Sequence, residues 1–237
     1  MEIRDGFIEG VFNYCDRWCE TCALTSWCRL FADSAQVEAA LDPNLQLVVE
    51  APPLPQDIAP SLDTSFAEAL DKAEAATASE KVARRRALAR ERNEDPVVVR
   101  ASDYCVQVHR WLRDHKDSGP TNPGDPRAVI GWYSTLVPAK VARAILASKW
   151  ADSGEGDDAH DGEGSAKVAL IGLERSHAAW LRLSEIGLAS NQETHDFIAQ
   201  LVWLTDALER RFPRARAFVR PGFDEPEAVA RLRASEG

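Results

Sequence analysis

A chain of 237 residues with 28 Lys and Arg against 38 Asp and Glu carries a formal charge of −10, which excludes a generally basic nucleic-acid binder. Its 45% hydrophobic and 28% charged residues are those of an ordinary globular protein, long enough for one large domain and a small appendage. No run approaches the roughly 18 uncharged apolar residues a spanning helix needs. The start Met1-Glu2-Ile3-Arg4-Asp5 is neither basic nor apolar, so no membrane association and a cytoplasmic location are expected.

Helical periodicity recurs along the chain, and the expected fold class is all-α: an antiparallel helical bundle with an N-terminal four-cysteine metal-binding helical segment. Residues 1–50 form the cysteine-rich segment, which ends near Asp42-Pro43-Asn44. Leu45–Val49 and Val97–Val99 are the only short strand candidates. Four prolines in residues 51–60 forbid a helix interior and mark a linker. The bundle then spans 61–237. From Ser61 to about Asn93 the chain reads as a weakly anchored helix rich in Ala, Glu, Lys and Arg.

Asp95-Pro96 starts a helix that runs to about Lys116, and Ser118–Gly124 is a loop. Asp125-Pro126 starts the next, to about Trp150, with a kink expected at Pro138. The acidic stretch 152–163 reads as a solvated loop. Two helices follow, over about 165–187 and 192–211. Their expected core stripes are Leu170, Leu173, Trp180 and Leu181, then Ile198, Leu201, Leu204, Thr205 and Leu208. Arg211-Phe212-Pro213 ends the second, an extended tail covers 214–224, and a short helix follows Pro226.

Four of the five cysteines, Cys15, Cys19, Cys22 and Cys28, fall within fourteen residues at the spacing C-x3-C-x2-C-x5-C. In a reducing compartment such crowding points to metal ligation. On a helix, the first three would stand at i, i+4 and i+7 on one face, and Cys28 would close the set from beyond a turn. A zinc site usually pairs two C-x-x-C knuckles, and only one occurs here. Dense thiolate ligation from one short segment suits a [4Fe-4S] cluster, with structural zinc and ordinary thiols as alternatives. Phe7, Phe12, Tyr14, Trp18, Trp27 and Phe31 are six of the chain's 18 aromatics, so large rings are expected to shield the site. Arg17 and Arg29, beside the ligands, are expected to hold the cluster's negative charge, with Trp18 and Trp27 around them.

Cys15, Cys19 and Cys22 carry a spacing similar to that of the radical S-adenosylmethionine family. That resemblance implies a β/α barrel, an aromatic before the third cysteine and an open iron; this sequence has Thr21, no run of strands and a fourth cysteine. Cys19, Cys22 and Cys28 resemble the cluster loop of helix-hairpin-helix DNA glycosylases, without the glycine-rich hairpin and its catalytic Asp. Three strings together, 13–22, Gly164–Leu170 and Arg214–Phe223, look like those of a group of uncharacterised bacterial helical proteins, a resemblance that implies no activity.

Glu174 and His177 have the E-x-x-H spacing of di-iron bundles and share a face with Leu170 and Leu181, so both are expected to point inward. There is no second copy of the motif, and a hydrogen-bonded core His beside a partly buried carboxylate is the plainer reading. Cys105 and His109, four apart, read as a small hydrophobe and a hydrogen-bonded ring. An EF-hand counted from Asp157 would need Glu where Val168 stands. Arg84-Arg85-Arg86 reads as a solvated helix face. No P-loop, G-x-G-x-x-G or G-x-S-x-G occurs. Three readings remain: a [4Fe-4S] protein in electron transfer or redox sensing with a protein redox partner, a structural-zinc adaptor that docks a partner without catalysis, and a bundle metalloenzyme on Glu174 and His177.

Overall fold

The computed structural model describes residues 1–40, 82–115, 124–152 and 159–235. The expected strand at 45–49, the linker, the helix from Ser61 as far as residue 81, the loop 118–123 and residues 153–158 of the acidic stretch lie outside them. The chain is mostly helical, and none of the described helices is long and apolar enough to cross a membrane.

Asp95 caps helix α3 (Pro96–Asp114), its carboxylate accepting from the Val97 amide at 3.0 Å, with Pro96 in the first turn. Val97 and Val98, a strand candidate by β-branching alone, lie in the helix expected to open at Asp95-Pro96, with Val97, Val98, Ala101, Tyr104 and Val108 burying one side. Before it come a helix α1 (Arg29–Ala40) and a helical stretch α2 over 82–93, whose Glu91 pairs with Lys149 at 3.2 Å. Helix α4 (Pro126–Asp152) continues through Pro138 as one element. Ser190 and Glu193 form a capping box at the start of α6 (Asn191–Arg211).

Helix α5 (Ala159–Glu185) begins inside the stretch read as an acidic loop. Asp161, in its first turn, is held by Arg143 at 2.7 Å rather than left to solvent. Its buried side is Ala166, Ala169, Leu170, Leu173, Trp180 and Leu183, while Leu181 is exposed, which corrects the expected stripe.

The four long helices run antiparallel around one core. Gly162 packs on Ala147 and Gly172 on Val137 between α4 and α5, and a Cβ at Gly172 would stand 2.9 Å from Val137. Trp180 stacks on Phe197 at 4.0 Å between α5 and α6, and Arg211 reaches Asp95 at 2.8 Å between α6 and α3. Buried Trp180, Tyr104 and Phe197 fill the centre.

The N-terminus holds a hairpin the hydropathy pattern did not suggest, β1 (Ile3–Arg4) paired with β2 (Phe7–Ile8). Asp5 (φ 52°) and Gly6 (φ 82°) turn it, the left-handed pair that Asp-Gly supplies. Ile8, Val11, Leu24 and Trp27 then make a second, small core with Val229 of α7 (Pro226–Ser235).

Candidate metal centre

The cysteine segment is not an α-helix. It is a run of 3-10 turns, Val11–Asn13, Cys19–Thr21 and Thr25–Trp27, interrupted at Arg17 by a left-handed residue (φ 60°). The i, i+4, i+7 face therefore does not exist, and the thiols converge by another route. Asp16 accepts from the Trp18 amide at 3.2 Å and folds the chain between the first two cysteines. The Cys22 amide closes the next turn onto Cys19, and the Cys28 carbonyl accepts the first bond of α1, from Ala32.

The four side chains border one pocket, walled by Phe12, Trp18, Phe31, Leu24 and Phe223. The space among them is small, about 20 Å³ for the centre of a water-sized sphere, against the roughly 10–15 Å³ one water requires. A cleft lined by Cys22, Arg175, Phe223 and Arg233 lies on one side, and Cys15, Cys19 and Cys28 edge another beside Trp132.

Electrostatics at the pocket run against anions. Burial pushes the thiols of Cys19 and Cys22 up, and neighbouring thiolates push them further, offset at Cys22 by the Leu24 amide, which donates to Sγ at 3.4 Å. A cation among the four would reverse that balance, because coordination removes the thiol proton and neutralises the mutual repulsion. In donor type and number the residues lining the pocket suit a thiolate-bound metal group. Among the described residues no group of three or more His, Cys, Asp or Glu is gathered so as to hold a single ion, so the four sulfurs border a space rather than meet at a point.

The segment is held between the bundle and the C-terminal tail. Asp16 accepts from Tyr133 Oη at 2.7 Å and from Arg175 Nη1 at 2.7 Å, while its carbonyl accepts from Trp132 Nε1 at 2.8 Å. Burial first, and then the bond to Asp16, push the Tyr133 phenol up to about 12. Trp18 stacks on Trp132 at 5.3 Å. Gly164 leaves room for Tyr14 and Phe218, since a Cβ there would stand 2.6 Å from Phe218. Lys167 binds the Phe218 carbonyl and reaches Asp224 at 2.7 Å. The strings 13–22, 164–170 and 214–223 thus meet through Tyr14, Gly164, Lys167 and Phe218, beside the pocket that the first and last of them line.

The remaining candidates separate. Trp18 and Arg17 line the pocket. Trp27 lies beneath it in the small core, under the Arg233 guanidinium. Arg29 is turned to Asp33 at 2.9 Å and lies over the Phe7 ring. Cys105 is on α3, far along the chain from the cluster, and His109 is exposed. Glu174, expected to point inward, faces outward and is held by Arg216, with His177 half-buried beside it. Three groups escaped sequence reasoning: Asp16, hidden inside the cysteine motif, the Tyr133–Arg175 pair that grips it, and Lys140. The last had a signal, a lysine inside the apolar stripe Val137, Val141 and Ala144.

Comparison of the chain with family models, curated proteins and solved structures returned no match.

Proposed function

We propose that Cys15, Cys19, Cys22 and Cys28 hold a [4Fe-4S] cluster and that the protein serves one-electron transfer or redox sensing with a protein redox partner in the cytoplasm. The observation that carries this reading is the convergence of four thiols on one aromatic-walled pocket. When bound, the cluster supplies a one-electron store. Four protein ligands leave no iron free for substrate, which favours relay or sensing over Lewis-acid chemistry. Phe12, Phe31 and Phe223 limit water at the site, and the Leu24 amide donates to the Cys22 sulfur, the kind of bond that raises a cluster's potential.

A second reading, structural zinc in a partner-docking protein, draws on the smallness of the space and on a neighbouring core of only Ile8, Val11, Leu24, Trp27 and Val229, which a metal would reinforce. Anaerobic purification, an absorption spectrum and an iron, sulfide and zinc assay separate the two, on wild type and on Cys15→Ser/Cys19→Ser. A band near roughly 400 nm with about four irons per chain, lost in the variant, is expected. Colourless protein with one zinc would overturn the cluster and leave the docking reading.

A further inference from the structure

Lys140 is a buried cation that an apolar core does not explain. It sits on α4 among Val137, Val141 and Ala144, and only 6% of its surface is exposed. Its ammonium donates to the Asn13 carbonyl at 2.8 Å, two residues before Cys15, and among the described residues no carboxylate stands within ion-pair distance of it. Burying an ammonium with a single neutral acceptor is unfavourable unless an anion compensates it. That hydrogen bond sets the ammonium against the cysteine loop, where Cys15, once its sulfur carries charge, acts on Lys140 more strongly than Asp161, itself engaged by Arg143. The other charges that face Lys140 are cations, Arg143 on its own helix and Arg17 on the cysteine loop, and neither relieves the cost. Burial first, with Arg143 and Arg17 adding to it, pulls its ammonium down to about 8, so at neutral pH the charge is retained.

We infer that Lys140 is the built-in counter-charge of the cysteine site, and that by holding a positive charge against the Cys15 edge it sets how readily the site's cofactor accepts an electron. This rests on the cluster reading above. A fixed cation favours the more negative, reduced state, so its loss lowers the reduction potential. Sequence placed this role on Arg17 and Arg29, but both are exposed, and Arg29 is paired with Asp33; solvent screens such charges, whereas Lys140 is screened little.

The test is a redox titration of the anaerobically purified full chain, followed optically, with Lys140→Gln, Lys140→Met and Lys140→Arg beside the wild type. Gln retains a donor for the Asn13 carbonyl without the charge, Met retains neither, and Arg retains the charge. Gln and Met should both shift the one-electron equilibrium at least tenfold toward the oxidised form, about 59 mV downward, with Arg close to wild type. If a variant does not retain its cluster, iron content with circular dichroism replaces the potential: loss in folded Gln and Met with retention in Arg supports the counter-charge. Equal potentials in all four proteins, or Gln behaving as wild type while Met alone shifts, would overturn it, the latter in favour of the hydrogen bond. A wild type without iron would overturn the cluster reading and this inference with it, a different result from an iron-loaded set whose potentials coincide.

Discussion

The phenol of Tyr133 donates a 2.7 Å hydrogen bond to the carboxylate of Asp16, joining the first third of the long helix α4 to the loop between the first two cysteines across 117 positions of sequence. Arg175 donates to the same oxygen at 2.7 Å, so one aspartate ties the thiol loop to two helices. A bond to a charged acceptor contributes about 1.5–3 kcal/mol. Asp16 is partly solvated, which places Asp16→Asn at the lower end. That variant should lose about 1–2 kcal/mol in urea unfolding. It should also speed alkylation of the pocket thiols in metal-free protein, while helical circular dichroism is unchanged. Unchanged alkylation would mean that the loop does not depend on this anchor.

Gly164 makes a sharper case. The ring of Tyr14 and the ring of Phe218, 4.7 Å apart, both press on its Cα, and an added methyl would stand 2.6 Å from Phe218. Gly164→Ala must displace both rings, at about 1–3 kcal/mol, and Tyr14 precedes Cys15. The expected result is a protein with normal helicity that retains metal poorly. Gly131→Ala is the control: the nearest atom, Leu112 Cδ1, is at 3.4 Å, and removing a helical glycine there stabilises by about 0.5–1 kcal/mol. Equal metal content in the two variants would disprove the role given to Gly164.

Helices were legible where a wide apolar stripe and a stop agreed, as at Leu201, Leu204, Leu208 and Phe212 of α6. At Val97–Val99 two cues competed, and the helix start read at Asp95-Pro96 prevails because burial of one side outweighs strand propensity. The sequence misled where one cue stood alone. The spacing of Cys15, Cys19 and Cys22 invites a helix, but Arg17 turns left-handed once Asp16 is engaged by Tyr133 and Arg175, partners more than a hundred residues away. Local rules carry no information about such partners. Asp5-Gly6 is the opposite case, a strong turn signal beside strands of two residues, too short to register as alternation. The identity of the four clustered cysteines was readable from spacing, whereas the residues that fix them, Asp16, Gly164 and Lys140, acquire meaning only when the helices are assembled.

Tyr104 makes the core sensitive to alkali. It is fully buried, and burial pushes its phenol up to about 12 from an ordinary 10. Because the folded-state value is raised, the neutral phenol's contribution is intact below about pH 10 and is lost as pH rises toward 12, at about 1.4 kcal/mol per unit. Tyr133, pushed to about 12 as well, adds to the same window. Urea unfolding between pH 9 and about 11.5 should therefore show a fall that becomes shallower in Tyr104→Phe. The variant begins about 1 kcal/mol less stable, since Trp180 Nε1, 3.2 Å from the hydroxyl, loses its acceptor. Identical slopes would show that Tyr104 does not limit alkaline stability.

Acid acts at the tail. Against burial, which raises it, hydrogen bonds from Arg220 and Lys167 hold the Asp224 carboxyl well below the usual range. A depressed folded-state value means that the contribution is complete above about pH 4, the unfolded value, and fades as pH falls below it. Asp224 follows Phe223, a wall of the thiol pocket, and Lys167 also binds the Phe218 carbonyl, so protonation loosens the tail where it covers the cysteines. Amides of 215–235 should gain hydrogen exchange below pH 4 before those of α4 and α5 do. Asp224→Asn at neutral pH should reproduce the effect, with faster alkylation of metal-free Cys22. Loss of protection in the tail and the bundle together, at one pH, would instead make them a single cooperative unit, since Lys167, Gly164 and Tyr14 join them across one continuous contact.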